Sequence, residues 1–107
     1  FNFTMALIEL CSESDLDHNE SRLISVNGLD IALFRVEDNF FALDDLCSHG
    51  PGSLSEGYLD GFTIECDFHN GAFDIRTGEV TAPPCMDPVK SYVVCKQDGK
   101  VFIEMDE

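Results

Sequence analysis

Long apolar runs are missing from this 107-residue chain. No stretch approaches the roughly 20 apolar residues that a membrane-spanning helix requires, and the start lacks the basic region and apolar run of a secretion signal. Basic residues are also scarce: six Lys and Arg stand against 21 Asp and Glu, a formal charge of −15. Such a surface repels phosphate backbones and anionic lipid, which removes nucleic acid and membranes from the expected partners. The acidic clusters at 13–20, Glu37-Asp38, Asp44-Asp45 and the C-terminus read mainly as solubility charges. They also suit fast, salt-sensitive docking onto basic patches.

A disulfide framework is absent as well. The cysteines Cys11, Cys47, Cys66, Cys85 and Cys95 are odd in number and irregularly spaced, which fits a reducing compartment, the cytoplasm, where some thiols bind metal. Cys95 lies in the apolar run Tyr92-Val93-Val94-Cys95 and is expected to be a buried small hydrophobe. Cys11 and Cys85 have no partner spacing and receive no role. No glycine-rich dinucleotide fingerprint follows a strand, so the chain is not expected to take hydride from a nicotinamide cofactor. There is no internal repeat and no low-complexity stretch. Phe1-Asn2-Phe3-Thr4 precedes Met5 and reads as a non-native leader, the natural chain starting at that methionine.

What remains is β-structure. A chain of this length with 44% hydrophobic residues buries one modest core, so residues 1–107 are expected to form a single domain. A short apolar run at 7–10 is followed by runs at 23–26 and 30–36 flanking Asn27-Gly28, the strongest short-range hairpin signal. Glu37-Asp38-Asn39 then turns into Phe40-Phe41-Ala42-Leu43, and Phe34, Val36, Phe40 and Phe41 are expected in the core. Only 13–18 reads as helical, and briefly. Asp60-Gly61 turns into a strand over 62–66, and Thr77-Gly78-Glu79 turns between strands at 72–75 and 80–82. Runs at 89–95 and 100–105 flank Asp98-Gly99, a second hairpin signal. The expected fold is all-β: a basal antiparallel sandwich or barrel with a smaller subdomain inserted at about 46–84, where most of the glycine and proline lies.

That insert carries the chemistry. Cys47-Ser48-His49-Gly50 and Cys66-Asp67-Phe68-His69-Asn70-Gly71 each pair a cysteine with a histidine ahead of a glycine. Two thiolates and two imidazoles form the ligand set of an iron–sulfur centre in which histidine replaces cysteine on one of two irons. Imidazole donates less charge than thiolate, so an added electron settles on the histidine side. His49 and His69 would then be the electron's exit. Glycines 50, 52 and 71 suit loops that approach a cluster closely. Two cysteines and two histidines also make a closed structural zinc site. The usual zinc spacing groups like ligands together, whereas here each loop mixes them. The third histidine, His18, sits in a polar stretch and reads as a solvated surface residue.

The stretches 47–57 and 64–74, with Thr77-Gly78 and Pro83-Pro84, resemble the Rieske-type ferredoxins of bacterial aromatic-ring-hydroxylating dioxygenase systems over essentially the whole domain. The resemblance implies one Rieske [2Fe-2S] cluster, with Cys47 and Cys66 on one iron and His49 and His69 on the other. It implies a soluble one-electron carrier between a ferredoxin reductase and a terminal Rieske oxygenase, an electron-transfer component of aromatic hydrocarbon catabolism and not an enzyme itself. Asp67 departs from the family's usual proline. High-potential relatives carry an extra cysteine in each loop, where this chain has Gly52 and Phe68, and hydroxyl donors where it has Gly71 and Phe73. Fewer hydrogen bonds to the cluster sulfurs imply a potential toward the lower end of the roughly −150 to +300 mV range.

The chain cannot be the oxygenase, because a mononuclear iron needs two histidines and a carboxylate and only His18 is left over. Two alternatives stand beside the carrier: a Rieske-like small subunit of a nitrite-reductase-type enzyme, whose members often lack the full ligand set, and a zinc-stabilised interaction module. Partner docking is expected on a small patch around His49, His69, Gly50, Pro51 and Phe68 with an acidic rim, and nothing demands more than a monomer.

Overall fold

A computed structural model describes residues 5–46, 52–66, 71–83 and 87–106. Eleven strands and two short 3-10 turns make up its regular structure, and every strand pairing among the described residues is antiparallel. No helix among them is long and apolar enough to cross a membrane.

The central sheet is a meander. Strands β2 (Glu20–Val26), β3 (Leu29–Val36) and β4 (Asn39–Asp44) pair in sequence order, and β9 (Ser91–Tyr92) closes the far edge against β4. Asn27 and Gly28 both take positive φ, 51° and 80°, which gives the hairpin a twist matching its strands. The expected hairpin forms there, with Val26 opposite Leu29. The next turn is tighter than expected: Val36 faces Asn39, so only Glu37 and Asp38 lie outside the ladder. Arg35 reinforces this end, donating to the carbonyls of Leu16, Glu13 and Glu37.

Ile31, Ala32, Leu33 and Phe34 are all fully buried, the signature of a strand covered on both faces. Ala32, Phe34 and Val36 join Leu43 in one apolar cluster, while Ile31 and Leu33 join Phe40 and Ala42 in another. The second cluster is capped by Val101 and Ile103. These lie on β11 (Lys100–Asp106), the middle strand between β1 (Met5–Ser12) and β10 (Val94–Gln97). The Asp98-Gly99 hairpin joins β10 to β11 as expected. Phe34, Val36 and Phe40 are core residues, and Phe41 is partly buried against the first cluster.

Four local expectations change. The run 89–95 is two strands rather than one: Ser91 and Tyr92 pair with β4, whereas Val94 onward pairs with β11, and Val93 between them is exposed. Serving two sheets requires the chain to turn at that point, which interrupts the run. Cys95 is half-buried instead of buried, because it faces away from Val101 and Ile103 on β10, beside Phe102. Helical structure shrinks to a 3-10 turn at Glu13–Asp15. The strand expected at 62–66 is shorter, since Phe62 stays in the turn, edge-on to Phe41 and beneath the Arg76 guanidinium.

The remaining sheet covers the first apolar cluster. It consists of β5 (Tyr58–Asp60), β6 (Thr63–Glu65), β7 (Ala72–Asp74) and β8 (Val80–Ala82) in sequence order. All of it lies between β4 and β9, which themselves pair through Ala42–Tyr92 and Leu43–Ser91. Topologically it is an insertion between two neighbouring strands, with Ile64 and Phe73 turned toward Phe34 and Leu43.

Candidate metal centre

The register of the inserted sheet puts Tyr58 opposite Glu65, Glu65 opposite Ala72 and Ala72 opposite Ala82. One end of the sheet therefore gathers the entry to β5, the exit from β6, the entry to β7 and the exit from β8. Both cysteine–histidine segments adjoin this end. Cys66 follows β6 directly; it is fully buried and shares the apolar cluster with Leu54, Ile64 and Phe73. Its N–H donates to the Gly71 carbonyl at 2.6 Å, closing the base of the segment 67–70. The other segment is closed by an antiparallel bridge between Leu46 and Ser53. Leu54, packed with Cys66, brings the two bases together.

Glycines permit this approach where the backbone demands it. A Cβ on Gly57 would lie 2.2 Å from the Glu65 carbonyl oxygen, so only glycine lets the end of the 3-10 turn at Leu54–Glu56 pass this close to the residue before Cys66. Gly52 and Gly71, which flank the two segments, are buried. Farther from the segments, Gly78 has φ +82° and its Cβ would sit 2.1 Å from the Val89 carbonyl oxygen. The Val89 N–H donates to the Gly78 carbonyl at 2.9 Å, which locks the insert to the segment leading into β9.

Of the four ligands expected from sequence, Cys66 is placed as described, at the end of a strand. Cys47, His49 and His69 lie outside the described residues, as do Gly50, Pro51, Asp67, Phe68 and Cys85. His18 is exposed as expected, and its Nδ1 accepts a hydrogen bond from the Glu37 N–H at 2.7 Å. Sequence reasoning missed the role of Asp44-Asp45, read as surface charge. Asp45 is buried at 6% exposure and accepts hydrogen bonds from the Ser53 hydroxyl and the Ser55 N–H. Asp44 accepts one from the Tyr92 hydroxyl, and burial together with that carboxylate pushes the Tyr92 phenol well above its ordinary range. The serines at 53 and 55, just past the first segment, were the available signal.

The donor chemistry at this end fits an iron–sulfur cluster. Cys66 offers a soft sulfur in a dry setting, and buried glycines leave backbone close to where the cluster would lie. Along the chain, the stretch that carries both segments holds charge of one sign, although Arg22 from β2 lies beside Asp45, Gly52 and Glu56. No lysine or arginine occurs from Val36 to Ile75, a span holding Glu37, Asp38, Asp44, Asp45, Glu56, Asp60, Glu65, Asp67 and Asp74.

Residues 6–93 match the Rieske [2Fe-2S] domain model. The chain belongs to the Rieske [2Fe-2S] domain family. The ferredoxin component of a p-cumate 2,3-dioxygenase system from Pseudomonas putida is 43% identical over 101 residues, spanning 92% of this chain and 86% of that protein. Among solved structures, a Sphingomonas yanoikuyae B1 ferredoxin is 38% identical at a TM-score of 0.89, covering 94% of this chain and 99% of its own. A complex of reduced oxygenase and oxidised ferredoxin in carbazole 1,9a-dioxygenase contains a chain 40% identical at a TM-score of 0.87, with 91% of each chain covered. The chain is accordingly an electron carrier rather than an oxygenase, and its cofactor is a Rieske-type [2Fe-2S] cluster. That cofactor sets aside the zinc-stabilised module.

Proposed function

We propose that this chain carries single electrons from a ferredoxin reductase to the terminal oxygenase of a multicomponent aromatic-ring dioxygenase, with Cys47 and Cys66 binding one iron of the cluster and His49 and His69 the other. The buried position of Cys66, at the sheet end where the bases of both cysteine–histidine segments meet, is the observation that carries this reading. The cluster supplies a site that holds one added electron, favoured on the histidine-ligated iron. The chain's residues do the rest. Phe73, Ile64 and Leu54 keep water from the cysteine side, and the net charge of −15 favours the less negative, oxidised state, which keeps the potential low.

The domain is taken as residues 1–107 with a cluster-binding subdomain at about 46–84, acting as a monomer in the cytoplasm. Docking uses the cluster end, with Glu56 and Glu65 exposed near it. A nitrite-reductase-type small subunit is the weaker alternative, because the sequence likeness lies with dioxygenase ferredoxins and all four ligand types are present.

Spectroscopy tests the site. Anaerobically purified protein should be coloured, contain iron and sulfide, and give a low-temperature EPR signal after dithionite. Replacing Cys47, His49, Cys66 or His69 by alanine should abolish that signal, whereas His18→Ala should leave it intact. A colourless, EPR-silent sample with stoichiometric zinc would overturn the proposal. Electrostatic steering has its own check: reduction by the cognate reductase should slow as salt is raised from about 0.01 to 0.15 M, over which the screening length falls from about 30 to 8 Å. Rates indifferent to salt would remove the steering role of the −15 charge.

A further inference from the structure

Among the described residues, Asp45 is the one charged side chain that is buried. Removing a carboxylate from water is costly unless hydrogen bonds satisfy it, so its partners indicate what it does. Its Oδ2 accepts from the Ser53 hydroxyl at 2.6 Å, and its Oδ1 accepts from the Ser55 N–H at 2.8 Å. Both donors belong to the chain returning from residues 47–52, and neither belongs to the strands beside β4. The backbone repeats the link, with the Leu54 N–H donating to the Asp45 carbonyl at 2.8 Å and Leu46 bridging Ser53. Behind them, the Ser53 and Ser55 hydroxyls lie 3.0 Å apart, and Ser21 on β2 donates to the Ser55 carbonyl at 2.8 Å. The Asp45 N–H donates to the Asp30 carbonyl, which ties the assembly to β3.

We propose that Asp45 is a positioning residue for the cluster: its carboxylate clamps shut the base of the segment bearing Cys47 and His49, so that both ligands are presented in one register. The inference rests on the reading of Cys47 and His49 as ligands. A single isolated bridge, with Leu46 on its outer side 66% exposed, is a weak closure by itself. An acceptor-only carboxylate strengthens it because both oxygens must be met by donors on the returning strand. Either donor left unpaired in this setting is destabilising. The clamp is geometric rather than electrostatic, since asparagine at 45 could still accept from Ser55 N–H and donate to the Ser53 oxygen, whose own proton can turn to Ser55.

The test compares iron release from the reduced holoprotein to a ferrous chelator, together with the low-temperature EPR line shape. Asp45→Ala should release iron about 10- to 100-fold faster, the range typical when a group supporting a metal ligand is lost, and its EPR lines should broaden as ligand geometry spreads. Asp45→Asn should restore both readouts to near those of the unaltered protein. Ser53→Ala, a milder change that keeps the fold should Asp45→Ala not accumulate, should accelerate release severalfold. Release from both Asp45→Ala and Ser53→Ala at the unaltered rate would overturn the clamp, and so would equal acceleration by alanine and asparagine at 45. Cys47→Ala separates the two readings. A cluster retained there refutes the ligand assignment, whereas a cluster lost there beside an unaffected Asp45→Ala refutes only the clamp.

Discussion

The two apolar cores on either side of β3 are closed by different means. On one side, Ile31, Leu33, Phe40 and Ala42 meet Val101 and Ile103 beneath long strands, β1 and β11, paired over nearly their whole length. On the other, Ala32, Phe34 and Leu43 meet Ile64, Cys66 and Phe73 beneath four strands of three residues each. Strands that short contribute few ladder bonds, and small isolated sheets are marginal. The insert therefore depends on particular contacts: Asp45 with Ser53 and Ser55, Gly57 against Glu65, and Gly78 against Val89. The side that carries the cysteine is thus the side where single residues matter most, while the other behaves as a scaffold.

The largest expected effects come from the cores themselves. Phe73→Ala should cost about 3–5 kcal/mol and Ile103→Ala about 2–5 kcal/mol, read as shifts in the denaturant midpoint. Only Phe73→Ala should also change the EPR line shape of the folded protein. A spectrum altered equally by both would erase the distinction between site and scaffold.

Glycine replacements sharpen the comparison at a smaller scale. Gly78→Ala combines a left-handed backbone with a backbone oxygen in the way, for about 2–5 kcal/mol. Gly99→Ala has the same backbone problem, φ +76°, but nothing within 4 Å of its Cβ. Its cost should be about 1–2 kcal/mol. Equal losses in thermal unfolding would show that the Gly78–Val89 approach contributes nothing.

The smallest effect lies at the seam. Tyr92 on β9 donates to Asp44 on β4, and its phenol is raised by burial first and by that carboxylate second. A raised value means the stabilisation is complete below the unfolded value of about 10. It is lost as pH climbs through the higher folded value. Tyr92→Phe should cost about 1 kcal/mol at neutral pH and flatten the fall in stability above pH 10. An unchanged alkaline limb would refute the link.

Much of the scaffold was legible because its signals are local. Asn27-Gly28 and Asp98-Gly99 specify two-residue turns by their own backbone preferences, and both hairpins form where expected. The cysteine–histidine pattern stands out in the sequence for a similar reason, since its spacing is a property of a few consecutive residues. Other features were hidden. Tyr58–Asp60 carries no run long enough to announce a strand, and it forms because Thr63–Glu65 is already placed beside it. Nothing in Tyr92-Val93-Val94-Cys95 says that the chain changes sheets at Val93, because its partners lie on β4 and β11, far off in sequence.

Asp45 marks the boundary most clearly. As a residue type beside Asp44 it reads as one more surface charge, and it is buried only because Ser53 and Ser55 return to meet it. By itself, the sequence determined the turns, the β-character, the acidity and the cysteine–histidine pattern, all set by short-range preference or composition. Only the tertiary structure decided which face of each strand is dry, where the insert docks and which carboxylate is taken out of water, because burial depends on what distant segments bring to the same place.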